Sequence, residues 1–213
     1  MPRILFLLVA MLFASFSSQA QTTIYGLGTL TFGVTPGGLF FPAGGSAGDQ
    51  GLAAFDPVGG LPNAPLQKIL PPPGDPAVVG KVVGIDFRPL TGQLYALSYD
   101  PALATNNAQL YTLNPKTGFL TRVAAAPITL TLGGATERIG FNFNPVADLI
   151  RVVSSNRANY RLSPTTGAVV ATDGLLAYAF PTGQRNYGYA PRVGGVAYTN
   201  SFPGSTTTAL RHI

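Results

Sequence analysis

The strongest constraint on this chain is that it repeats itself. VGIDFRPLTGQLYALSY (83–99) and IGFNFNPVADLIRVVSS (139–155) align without a gap, so Gly84 and Gly140 stand 56 residues apart. A third start, Gly195-Val196-Ala197-Tyr198, follows 55 residues later. Each of the first two is followed by a second shared stretch, LNPKTGFLTRV (113–123) and LSPTTGAVVAT (162–172). A period near 50 residues is a signature of propellers and repeat arrays.

Each full unit reads as four short strands. In the first these are about 82–88, 93–99, 109–113 and 119–124. Leu94, Ala96 and Ser98 alternate with Tyr95, Leu97 and Tyr99, the period-2 pattern of a strand. Leu90-Thr91-Gly92 joins the first two strands, and Asn114-Pro115-Lys116-Thr117-Gly118 joins the last two. Proline presets one turn dihedral, and glycine accepts the positive φ at which the next strand restarts. The turn recurs because it closes the outer hairpin of a repeated sheet. No segment after Ala20 carries a useful 3.6-residue amphipathic period.

The expected fold is all-β: a β-propeller-like array of four-stranded antiparallel blades, incomplete at its end. It forms one domain over 21–213, with a partial blade at about 22–70, full units at about 82–124 and 138–180, and a partial unit at about 193–213. Thr23-Ile24-Tyr25-Gly26-Leu27 matches Gln93 to Leu97, and Leu52 to Pro57 matches Leu110 to Pro115, so the chain enters at a second strand. Residues 33–50 read as a Gly-rich loop, and the prolines of 57–79 as an extended, exposed connector. Leu210 and Ile213 match second-strand Leu94 and Leu97. The third unit is therefore expected to stop after two strands, with a longer hairpin loop around Pro203-Gly204. An open edge of this kind favours self-association.

Residues 1–20 read as a signal peptide: Arg3, an apolar run from Ile4 to Phe16, then Ser18-Gln19-Ala20 as a small-x-small cleavage pattern. The alternative is an uncleaved anchor. The expected location is secreted, periplasmic or at the cell envelope. The chain has no cysteine, so an exported life would rest on packing and not on disulfides.

Most catalytic constellations lack raw material. There is no thiol, and the single histidine is His212, which excludes a Ser-His-Asp triad and a His-based zinc site. No nucleophile elbow, phosphate-cradling loop or dinucleotide fingerprint occurs. Eight carboxylates remain. Asp86 and its repeat mate Asn142 sit on first strands and are the candidate metal residues, as oxygen donors for calcium. The alternative is that both tie the following corner by local hydrogen bonds. Asp173 reads as a turn residue before Gly174.

Arg157, Tyr160 and Arg161 are the candidate ligand residues, for an anionic or sugar ligand; the alternative is a polar hairpin whose arginine stems cover apolar surface. Charge is uneven: six arginines from Arg138 to Arg192 face Asp148 and Asp173, whereas Gln21–Glu137 holds five basic and six acidic residues. A basic half suits an anionic partner such as polysaccharide. No nucleic acid is expected, because no basic run is interleaved with aromatics.

The strings GIDFRPLTGQLYAL, LYTLNPKTG, FNFNPVADLIRVVS, YRLSPTTGAVVATDG and GVAYTN resemble the secreted bacterial proteins grouped as domain of unknown function 4394, over about residues 22–208. The resemblance implies a β-propeller-like exported protein and no activity. It also implies further repeat beyond Thr206–Thr208, which this chain lacks, as a truncated form would. The functional expectation is an exported binding or structural module without a cofactor. The alternatives are a calcium-dependent propeller hydrolase or lactonase, and an inactive truncated gene product.

Overall fold

A computed structural model describes residues 23–29, 46, 48–55, 66–75, 78–178, 183, 185 and 189–213. The expected signal peptide and most of the Gly-rich loop lie outside the described residues. Among the described residues there are strands and no helix, so no helix is long and apolar enough to cross a membrane.

Among the described residues, four antiparallel sheets follow one another along the chain. The first holds β1 (Ile24–Thr29), β2 (Gln50–Phe55) and β3 (Gln67–Lys68) in that order. The second is a meander of β4 (Lys81–Phe87), β5 (Leu94–Tyr99), β6 (Ala108–Leu113) and β7 (Leu120–Arg122). The third repeats it with β8 (Ile139–Asn144), β9 (Leu149–Ser154), β10 (Asn159–Leu162) and β11 (Val169–Thr172). The fourth has two strands, β12 (Val196–Tyr198) and β13 (Leu210–His212). Among the described residues no sheet closes on itself or on another.

The strand limits of the first full unit fall within about two residues of those read from the sequence. One reading needs correction. Part of the proline-rich 57–79 stretch is not exposed connector: Gln67–Lys68 pairs with β2, and Leu70 exchanges backbone hydrogen bonds with Gly118 and Leu120 across β7. The hairpin of the last unit is long, as expected, with its left-handed glycine at Gly204.

Packing follows from alternation. Every residue of β5 is buried, because the second sheet is covered on both faces. Leu94 and Ala96 join Leu52, Tyr25 and Leu27 of the first sheet in one core cluster. Tyr95, Leu97 and Tyr99 join Phe141, Phe143, Ile150 and Val152 of the third sheet in another. Leu130 and Leu132, from the connection between units, seal that second cluster. Face-to-face burial of this kind is what lets small antiparallel sheets persist, since a lone hairpin is at best marginal in water.

Candidate functional site

One five-residue turn is used four times, and it aims the side chains that matter. Arg88–Gly92, Asn114–Gly118, Asn144–Asp148 and Ser163–Gly167 each have proline second and a left-handed fifth residue. In each, the fifth N–H donates to the first carbonyl, at 2.8, 2.8, 3.0 and 2.9 Å. Asn114, Asn144 and Ser163 also accept turn N–H groups on their side chains. Arg88 has no such acceptor. Its guanidinium crosses to the next unit and pairs with Asp148, the one turn whose fifth residue is not glycine.

The first strands β4, β8 and β12 are linked by a repeated strap. The Asp86 carboxylate accepts Phe143 N at 2.7 Å and Asn142 Nδ2 at 2.8 Å. One unit on, the equivalent Asn142 Oδ1 accepts Tyr198 N at 2.7 Å. Asp86 also accepts its own neighbour's N–H, from Phe87, at 2.9 Å. The two sequence readings of Asp86 are thus joined by a third: it ties the local corner and, more strongly, the next repeat. Burial pushes its carboxyl up to about 6, against the pull of the Phe143 and Phe87 N–H groups.

As a cation site the pair fits poorly. Asn142 turns its nitrogen toward Asp86 and its oxygen toward β12, so the two donors do not share a focus. Among the described residues no three His, Cys, Asp or Glu side chains gather as a metal would require.

The ends of these strands frame a cleft of about 540 Å³. One wall is the Arg88–Gly92 turn with Asp86 and Phe87; the other is Ser201-Phe202-Pro203 of the last hairpin. Leu90 and Phe202 are 60% and 55% exposed, large for apolar side chains facing one space. Thr91 and Ser201 bring hydroxyls, and the Arg88 charge is already matched by Asp148.

Arg157, Tyr160 and Arg161 do not converge. Neighbours in a strand point to opposite faces, so Tyr160 turns toward the second sheet's side, where its hydroxyl accepts Thr131 N at 3.2 Å. Arg157 stands at positive φ in the tight turn and donates from Nε to Leu176 O. Arg161 faces the other way, into a cluster that the sequence reading did not assemble. Asp173 accepts both forks of Arg161, at 2.9 and 2.7 Å, and a further bond from Arg151 at 2.5 Å. Arg151 also reaches Asn159 Oδ1 and Tyr198 Oη. Arg161 chiefly, and Arg151, hold the Asp173 carboxyl below its ordinary range. Burial, then the Arg151 charge, keeps the His212 imidazole below its usual value. Asp173 is therefore more than a turn residue; its partners lie 12 and 22 positions back, beyond local inspection.

The comparisons with known proteins give one match. No curated protein matches the chain, and no solved structure does. The model of the family described as domain of unknown function (DUF4394) matches residues 77–213, which include both full repeats and the last hairpin. With well over half its length matched, the chain belongs to the DUF4394 family.

Proposed function

We infer that the protein is an exported binding module that takes its ligand in the cleft between the Arg88–Gly92 turn and Ser201-Phe202-Pro203. One observation carries this reading: two exposed apolar side chains, Leu90 and Phe202, face one cleft whose rim is hydroxyl-bearing and whose arginine is already neutralised. That combination suits a sugar ring, with its apolar face on Phe202 and its hydroxyls on Thr91, Ser201 and Asp86. Titration of neutral oligosaccharides by NMR is the test. Phe202→Ala should weaken binding at least tenfold and leave the melting temperature almost unchanged. No saturable saccharide, or equal binding by the variant, would overturn the reading.

Export is supported by Arg3, the apolar run and Ser18-Gln19-Ala20. Mass spectrometry should find secreted material starting at Gln21. A propeller-like arrangement is supported by stacked sheets whose first strands lie side by side, strapped by Asp86 and Asn142. We read it as an open arc, since no sheet closes on another among the described residues, and its free strand edges favour self-association. Light scattering at rising concentration should show it, and a strictly monomeric profile would not fit. The calcium-dependent reading gains ground only if calcium raises the melting temperature of wild type and not of Asp86→Asn.

A further inference from the structure

Three seams join the four sheets, and equivalent positions can be compared across them. In the first, Tyr25 on β1 packs on Phe87 with ring centroids 5.5 Å apart. In the second, Tyr95 on β5 packs edge-on against Phe143 at 5.1 Å. In the third, the same two places hold Arg151 and Tyr198, joined by an Nε–H···Oη contact of 3.3 Å. The neighbouring strand changes in step. Leu52 and Ala54, then Leu110 and Thr112, become Asn159 and Arg161. The fold therefore does not need charge at this place, since it closes the seam twice without any.

The charge is also unbalanced. Two guanidiniums share one carboxylate, Asp173. His212 adds no second negative group. The Arg151 side chain is only 14% exposed, which makes an uncompensated neighbour costly. Arg161 is 41% exposed. Two of its five N–H donors go to Asp173, and among the described residues its other terminal nitrogen has no protein acceptor. The exposure of Arg161 lets solvent reach the cluster from that side.

We propose that the third seam is an anion site, in which Arg161 and Arg151, with Tyr198 at the back, receive one oxyanion group from solvent. The ligand chemistry is a carboxylate or a phosphate, for which a guanidinium fork supplies paired N–H donors. The site shares no residue with the saccharide cleft and stands or falls separately from it.

The test is an NMR titration of the full mature protein with acetate and, separately, with inorganic phosphate, at constant ionic strength set by chloride. Saturable shifts of the Arg161 Nε–H and Asp173 N–H signals are expected with at least one probe. The tighter probe shows whether the site is shaped for a planar or a tetrahedral group. Arg161→Gln should weaken that binding about tenfold or more, the equivalent of one charge-assisted hydrogen bond. Arg192→Gln removes the same unit of charge from a side chain that is 75% exposed and 4.0 Å from Glu137. It should bind like wild type. No saturation with either anion, or equal weakening in the two variants, would overturn the proposal.

Discussion

The seam between the second and third sheets and the seam between the third and fourth are built on one backbone plan with opposite chemistry. Both bring a first strand against the preceding first strand at a glycine, Gly84 or Gly140. Both strap the strands through a side-chain oxygen, of Asp86 or Asn142. In the earlier seam that frame encloses Tyr95, Leu97, Phe141 and Phe143, all buried. In the later one it encloses Arg151, Arg161, Asp173 and Tyr198. Backbone straps set the geometry, and the side chains in the seam decide whether it is filled by apolar or by charged groups.

The largest expected effect comes from emptying the apolar seam. Phe143 is fully buried and touches the Tyr95 and Phe141 rings. Phe143→Ala should cost about 3–5 kcal/mol in chemical denaturation. Tyr198 occupies the same place in the polar seam and is only half-buried, so Tyr198→Ala should cost about 1 kcal/mol. Equal losses would mean that the two seams are not energetically distinct.

A glycine series sharpens the same comparison. A Cβ on Gly84 would collide with Cβ of Phe141, and one on Gly140 would lie 2.9 Å from the backbone N of Val196. On Gly195, the third of the set, its nearest neighbour would be Ile213 Cβ at 3.9 Å. Gly84→Ala should cost about 2–3 kcal/mol, Gly140→Ala about 1–2, and Gly195→Ala under about 0.5. A Gly195→Ala loss as large as that of Gly84→Ala would show that another surface covers the last sheet in solution.

How much of this was legible in the sequence depended on range. The strands of both full units showed because alternation and the Pro-to-Gly turn are local signals. Gln67–Lys68 did not show, because a two-residue strand has no period and sits among prolines. Asp173 reads as a turn residue from the Asp-Gly that follows β11; its arginines arrive through pairing of β9 with β10. Proximity in sequence groups Tyr160 with Arg161, although adjacent strand residues face apart. Reading the repeats column by column would have found the cluster. Tyr25 and Tyr95 are followed by Arg151, and Leu52 and Leu110 by Asn159, a change of chemistry at fixed register. The Asp86 strap was partly visible as the Asp86–Asn142 match, but its reach to the next unit spans 57 residues.

The straps differ in one titratable group, and pH should separate them. The Asp86 carboxyl is raised from 3.8 to about 6 in the folded protein, chiefly by burial. Its stabilising effect is therefore full below about pH 3.8 and is lost as pH rises through about 6. At about 1.4 kcal/mol per unit, the swing is about 3 kcal/mol before solvent screening and about 2 kcal/mol after it for this partly buried group. Asp86→Asn should abolish that component and make the strap resemble the one at Asn142. It should also cost about 1 kcal/mol at low pH, where the Phe87 N–H loses an acceptor. Denaturation curves of the two proteins between pH 4 and 7 measure the difference, and parallel pH profiles would remove Asp86 from this role.

A smaller titration effect is expected at Asp173, and its sign is opposite. Its carboxyl is held low, mainly by Arg161, so its contribution is present above about pH 3.8 and fades only as pH falls through the depressed value. The pair is open to solvent on the Arg161 side, which limits it to under about 1 kcal/mol. Asp173→Asn leaves two guanidiniums facing each other without a counter-charge. The deficit should therefore be greatest at low ionic strength and shrink by about half in 1 M salt, where charges beyond about 3 Å are screened. Phe143→Ala, with no charge in its seam, should show a deficit that salt leaves nearly unchanged. A salt-insensitive Asp173→Asn would mean that the carboxylate acts through its hydrogen bonds alone, and that the later seam is held by geometry much as the earlier one is.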